Sequence, residues 1–178
     1  MRRILITTFA AISLLLCSQF ASAQTLEEMI SLANEGIPSY QCMLGYKYLD
    51  GDGVEKNVPE AVKWFTLAAD NGDVYAAYTL GRTFHAGDGI PQDYAEAMKW
   101  FRVAAEMGDA SSQYRVAEMY QTGTGIDKDY IAAYAWLSLA IGNGANKRGI
   151  RDNLERDMNA NQIKEAKMLF ESLEASFH

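Results

Sequence analysis

Cysteine and histidine are almost missing from this sequence, with two of each in 178 residues. Cys17 falls in an apolar leader, so Cys42 stands alone in the remainder and no intrachain disulfide can form there. His85 and His178 cannot assemble a histidine-rich zinc site or a Ser-His-Asp triad, and no catalytic residue, cofactor or metal site is expected. Beyond the leader no stretch approaches the roughly 20 apolar residues that a membrane helix needs, which excludes membrane insertion. No Asn-x-Ser/Thr glycosylation acceptor occurs, which favours a bacterial envelope over a eukaryotic secretory route. Positive charge is also in deficit: 16 Lys and Arg face 23 Asp and Glu, a net charge of −7. Such a surface repels phosphate backbones and anionic lipids, so nucleic acid is excluded and proteins remain the expected partners.

What is present begins with Met1-Arg2-Arg3, an apolar run from Ile4 to Leu16, and Ala21-Ser22-Ala23. Basic start, short greasy stretch and small-residue cleavage site define residues 1–23 as a Sec-type signal peptide cut after Ala23, which predicts a periplasmic or secreted protein. Leu16 stands where a lipid-attachment cysteine would want a small neighbour, so Cys17 does not read as an anchor. Losing Arg2 and Arg3 takes the formal charge from −7 to −9.

Shifted by 36 residues, the sequence matches itself. Leu44-Gly45 falls on Leu80-Gly81, Tyr48 on Phe84, and Gly51-x-Gly53 on Gly87-x-Gly89; then Ala61 falls on Ala97, Lys63-Trp64-Phe65 on Lys99-Trp100-Phe101, Ala68-Ala69 on Ala104-Ala105, and Gly72-Asp73 on Gly108-Asp109. A third copy keeps Tyr120, Gly123-x-Gly125, Asp129, Ala133, Trp136, Ala140 and Gly144, with Ala117 in place of the glycine. Each unit predicts two helices around a glycine loop, because apolar residues recur at helical spacing on both sides. Asn57 with Glu60, and Asp93 with Glu96, have capping-box spacing at the start of the second helix, and Gly72, Gly108 and Gly144 supply its stop. A mid-helix glycine costs ~1 kcal/mol, so Gly45 and Gly81 predict a close approach of neighbouring helices.

These units resemble the Sel1-like repeat, a variant of the tetratricopeptide repeat with a longer Gly-x-Gly loop and a Trp-aromatic pair in its second helix. The resemblance implies an all-α, right-handed solenoid of antiparallel helix pairs with terminal capping helices. Residues 24–37 then form an N-terminal capping half-repeat, 38–73, 74–109 and 110–145 the three repeats, and 146–178 the C-terminal capping helices. In the last segment Ile150, Leu154 and Met158 share a stripe, and Asn159 with Gln162 caps a helix whose inner face is Ile163, Ala166, Phe170 and Leu173.

Asp50-Gly51-Asp52-Gly53 has neither the glycine nor the distal glutamate where a calcium loop needs them, and Thr124 in the same slot leaves only a turn. Tryptophans recurring every 36 residues read as core. Cys42, in the position of Tyr78 and Tyr114, reads as a small half-buried residue, with a redox-reactive thiol as the alternative. Lys147, Arg148, Arg151 and Arg156 are interleaved with Asp152, Glu155 and Asp157, as on a solvated helix face, with docking of an acidic partner as the alternative. The function is expected on the first helices, which line the concave side in stacked helix pairs. Positions off their core stripe are Tyr46, Tyr75, Tyr78, Arg82, His85, Tyr114, Glu118 and Gln121, a candidate groove for a protein or peptide partner. As the resemblance implies, the leading function is a non-catalytic scaffold or adaptor; the alternative is an immunity or inhibitor protein against an envelope-targeted toxin or enzyme.

Overall fold

The computed structural model describes residues 25–177, and within them the 36-residue period becomes helix pairs. The signal-peptide segment 1–23 lies outside the described residues. Helix α1 spans Leu26–Asn34; α2 (Pro38–Asp50) pairs with α3 (Val58–Asp70), α4 (Val74–Ala86) with α5 (Tyr94–Glu106), and α6 (Ala110–Thr122) with α7 (Tyr130–Gly142). Two further helices, α8 (Arg148–Arg156) and α9 (Ala160–Ser176), close the described chain. All described secondary structure is helical.

Each joint between repeats takes three residues, with a glycine at its centre and an aspartate at its end. Gly72, at φ 89°, donates to Ala69, while the Asp73 N–H donates to the Ala68 carbonyl, a Schellman closure of α3. Asp73 then opens α4, its carboxylate accepting from the Ala76 N–H at 2.9 Å. Gly108-Asp109 repeats this between α5 and α6. At the second helices the capping box is only half formed. Asn57 and Asp93 accept from Glu60 and Glu96 N–H as expected, but those glutamates do not reach back; they pair with Lys63 and Lys99. The reason is that the cap N–H groups are already taken, Asn57 by the Tyr48 carbonyl at 2.8 Å and Asp93 by the Phe84 carbonyl at 2.9 Å. Full capping boxes close at Thr25 with Glu28 and at Asn159 with Gln162.

The mid-helix glycines mark where the two helices of one repeat touch. A Cβ on Gly45 would sit 2.6 Å from the Phe65 ring, and one on Gly81 2.5 Å from the Phe101 ring. In the third repeat Ala117 faces the same slot, and Leu137 replaces the ring. Both sides change together because the volume between the helices is conserved.

Trp100 and Trp136 are buried, each against the repeat before it. Trp64 is only half-buried, since the short α1 is all that precedes it. Helix α7 is apolar on every side, and Ala132 to Ala140 are all buried, because α6, α8 and α9 surround it. The last two helices and the turn between them contribute Leu154, Met158 and Ala166 as buried residues, with Ile163, Phe170 and Leu173 half-buried against the third repeat. A pair of polar clamps adds to the packing. Gln41 donates to the Ala33 carbonyl and accepts from Asn71, and Gln113 likewise joins the Ala105 carbonyl to Asn143. Ala77 and Met107 hold the equivalent places in between, so the clamp recurs in alternate joints.

Candidate functional site

Because each second helix spends its apolar stripe on its own first helix and on the next repeat, α2, α4 and α6 are left with one face uncovered. Three clefts lie along that face. The first, about 250 Å³, is walled by Tyr46, Lys56, Thr79 and Arg82, with Asp50 and Asp88 on its rim. A second of about 250 Å³ lies among Arg82, His85, Ala86, Phe101 and Arg115. The third, about 400 Å³, is formed by Tyr78, Ser111, Tyr114, Arg115 and the turn from Asn143 to Lys147. Arg82 is common to the first two and Arg115 to the last two, so the clefts adjoin in series along one groove-like face.

Of the eight residues expected there, five line these clefts: Tyr46, Tyr78, Arg82, His85 and Tyr114. Tyr46 stands edge-on to Phe65, and its hydroxyl pairs with Thr79 at 2.8 Å, tying α2 to α4. Tyr78 is half-buried against Phe101 and carries the Arg82 guanidinium 5.9 Å above its ring. His85 packs on Tyr94 and Phe101. Tyr114 donates to Glu118 at 3.2 Å; its own burial, and then that carboxylate, push its phenol upward, so it stays a donor. Glu118 lines none of the three clefts; it accepts from Arg115 at 2.8 Å and holds that guanidinium in place. The hydrogen bond to Glu118, reinforced by Tyr78, raises the Arg115 pKa against the opposing effect of burial. Tyr75 is 74% exposed and, like the half-buried Gln121, lies outside all three clefts.

Sequence reasoning missed Arg115, Thr79 and the turn at Asn143 to Lys147. For Lys147 the sequence offers a solvated helix face or an acidic-partner dock; in the fold its ammonium sits 4.5 Å above the Tyr114 ring, and Arg151 stacks on Tyr134 at 5.9 Å. Arg115 adjoins Tyr114 in sequence and is the one basic residue of α6, which was the available signal. Cys42 is buried, and its burial, then Asp73, push its thiol up to about 12, which keeps it protonated at neutral pH and argues against the redox-reactive alternative. Among the described residues no three His, Cys, Asp or Glu side chains gather as a metal-holding group, and no helix is long and apolar enough to cross a membrane. Asp52 of the glycine loop instead pairs with Lys47 at 3.0 Å.

Comparison with known proteins supplies the rest. The Sel1 repeat family model matches residues 38–73, 74–109 and 110–144. A crystal structure of a Sel1 repeat protein from Oxalobacter formigenes is similar at 33% identity and a TM-score of 0.64, covering 75% of this chain and 98% of that one. A protective antigen present in uropathogenic Escherichia coli strains, displaying an SLR fold, is similar at 26% identity and a TM-score of 0.56. That likeness covers 89% of this chain, which spans 43% of the antigen's chain. No curated protein matched.

Proposed function

Because this chain belongs to the Sel1 repeat family, whose members generally mediate protein–protein interactions, we propose that it is a non-catalytic scaffold whose groove along α2, α4 and α6 holds a peptide or protein. The observation that carries this reading is the continuity of the three clefts through Arg82 and Arg115. Tyr46, Tyr78, Tyr114, Arg82 and Arg115 stand in its walls, and tyrosine and arginine are the residue types that supply rigid contact area and hot-spot energy in interfaces. With the leader of residues 1–23, the place of action is the periplasm or the secreted fraction, and a mature mass beginning at Gln24 is the expected result.

Tyr78 both lines the groove and packs on Phe101, so truncating it would mix binding with folding. Filling the clefts avoids that. Ala86 and Ser111 are exposed and line the groove, and Ala86→Trp with Ser111→Trp obstructs it without touching the core or changing charge. Partners recovered from envelope extract by the mature wild type should be lost by this double variant, at an unchanged melting temperature. Equal recovery by both proteins would move the binding surface elsewhere.

A further inference from the structure

Given that groove, and resting on the scaffold reading, we infer that it selects acidic peptide segments. Acidic residues outnumber basic ones in this chain, 23 to 16, so carboxylates should predominate on an average patch of its surface. The second and third clefts show the reverse. Arg82, His85, Arg115 and Lys147 line them, and no Asp or Glu does. Asp50 and Asp88 lie at the far end, in the first cleft with Lys56. Glu118 is the one carboxylate bonded to a groove cation, and it engages Arg115 through a single Nη1 contact. In these two clefts, among the described residues, Arg82, Arg115 and Lys147 are therefore offset by Glu118 alone, while Arg82 also borders the first cleft, where Asp50 and Asp88 accompany Lys56.

The cations are also held ready. Arg82 rests over Tyr78 at 5.9 Å, Arg115 and Lys147 over Tyr114 at 5.9 and 4.5 Å. Stacking on a ring fixes where the charge sits while leaving its N–H donors unspent, and neither Arg82 nor Lys147 has a carboxylate partner among the described residues. An incoming Asp or Glu would meet donors that have already lost part of their side-chain freedom. The overall charge of −7 argues against a polyphosphate chain, which would run beyond the groove onto repelling surface. A short acidic segment escapes that repulsion, since exposed charges more than ~8–10 Å away are screened in physiological salt.

The test is selection of a displayed library of random decapeptides on the mature chain. Enriched sequences should carry an excess of Asp and Glu. One of them, labelled with fluorescein and followed by anisotropy, should bind more weakly as salt is raised. Its isosteric amide form, with every Asp and Glu changed to Asn and Gln, should bind about tenfold to a hundredfold more weakly, from about two- to fivefold for each of three exposed charge pairs. Arg82→Glu with Lys147→Glu, at an unchanged melting temperature, should reverse the preference. Enrichment of neutral or basic peptides, or equal binding of acid and amide forms, would overturn the inference. The scaffold reading survives that result if those peptides are lost on Ala86→Trp with Ser111→Trp. Failure to enrich any peptide would overturn both.

Discussion

Gly81→Ala should destabilise this protein, although the same change at an ordinary helix position stabilises by ~1 kcal/mol. An added Cβ would lie 2.5, 2.7 and 2.8 Å from Cδ1, Cε1 and Cγ of Phe101. Phe101 is 1% exposed, and Cγ lies on the Cβ–Cγ axis about which the ring turns, so rotating the ring cannot clear the methyl group. Overpacking of this kind costs ~2–3 kcal/mol, leaving a net loss of ~1–2 kcal/mol after the gain in helix propensity. Phe101→Leu alone opens a void and should cost ~1–2 kcal/mol. The double variant recreates the Ala117 and Leu137 pair of the third repeat, so the methyl enters the void and the combined loss should be only ~0–1 kcal/mol. The coupling between the sites is then about −2 kcal/mol, against a sum of singles near ~3 kcal/mol. Far-ultraviolet circular dichroism should show each single variant melting ~2–8 °C lower and the double variant within ~4 °C of wild type. A Gly81→Ala protein that melts higher than wild type, or singles that simply add, would refute the close-packing account.

Two other outcomes follow from the packing. Cys42 has a folded pKa of about 12 against an ordinary 9.0, so its contribution to stability is complete below pH 9 and declines as the unfolded thiol ionises between pH 9 and about 12. Cys42→Ala should flatten that part of the stability profile, and wild type at pH 8 should react with a thiol reagent only on unfolding; fast labelling of the native protein would contradict the enclosed site. Deleting 160–178 uncovers the face of α7 that meets α9, so the truncated chain should aggregate or melt many degrees lower in the same assay, and unchanged heat resistance would remove α9 from the core.

The alternation of helix pairs, the glycine stops and the close contact at Gly45 and Gly81 were legible because they depend on residues near in sequence, and three copies restate them. Local pattern also found the true capping box at Asn159, and it failed at Asn57 and Asp93 where a carbonyl nine residues back took the cap N–H first. Five of the eight groove candidates lie in the clefts, since helical spacing tells the packed side of a first helix from the open side. Spacing does not tell which open position turns inward. Tyr75 and Tyr78 lie three residues apart in one helix, yet one faces solvent and the other stacks on Phe101, because the packing of α4 against α5 sets its rotation about its axis. Tertiary structure alone joined Tyr46 to Thr79 across 33 residues, brought Lys147 over Tyr114 across the same distance, and set the Gln and Asn clamps across 30. The Tyr46–Thr79 and Lys147–Tyr114 contacts form only after neighbouring units have docked, and each Gln–Asn clamp, though closed within one repeat, also reaches the Ala33 or Ala105 carbonyl across the joint before it, so packing between units decided them.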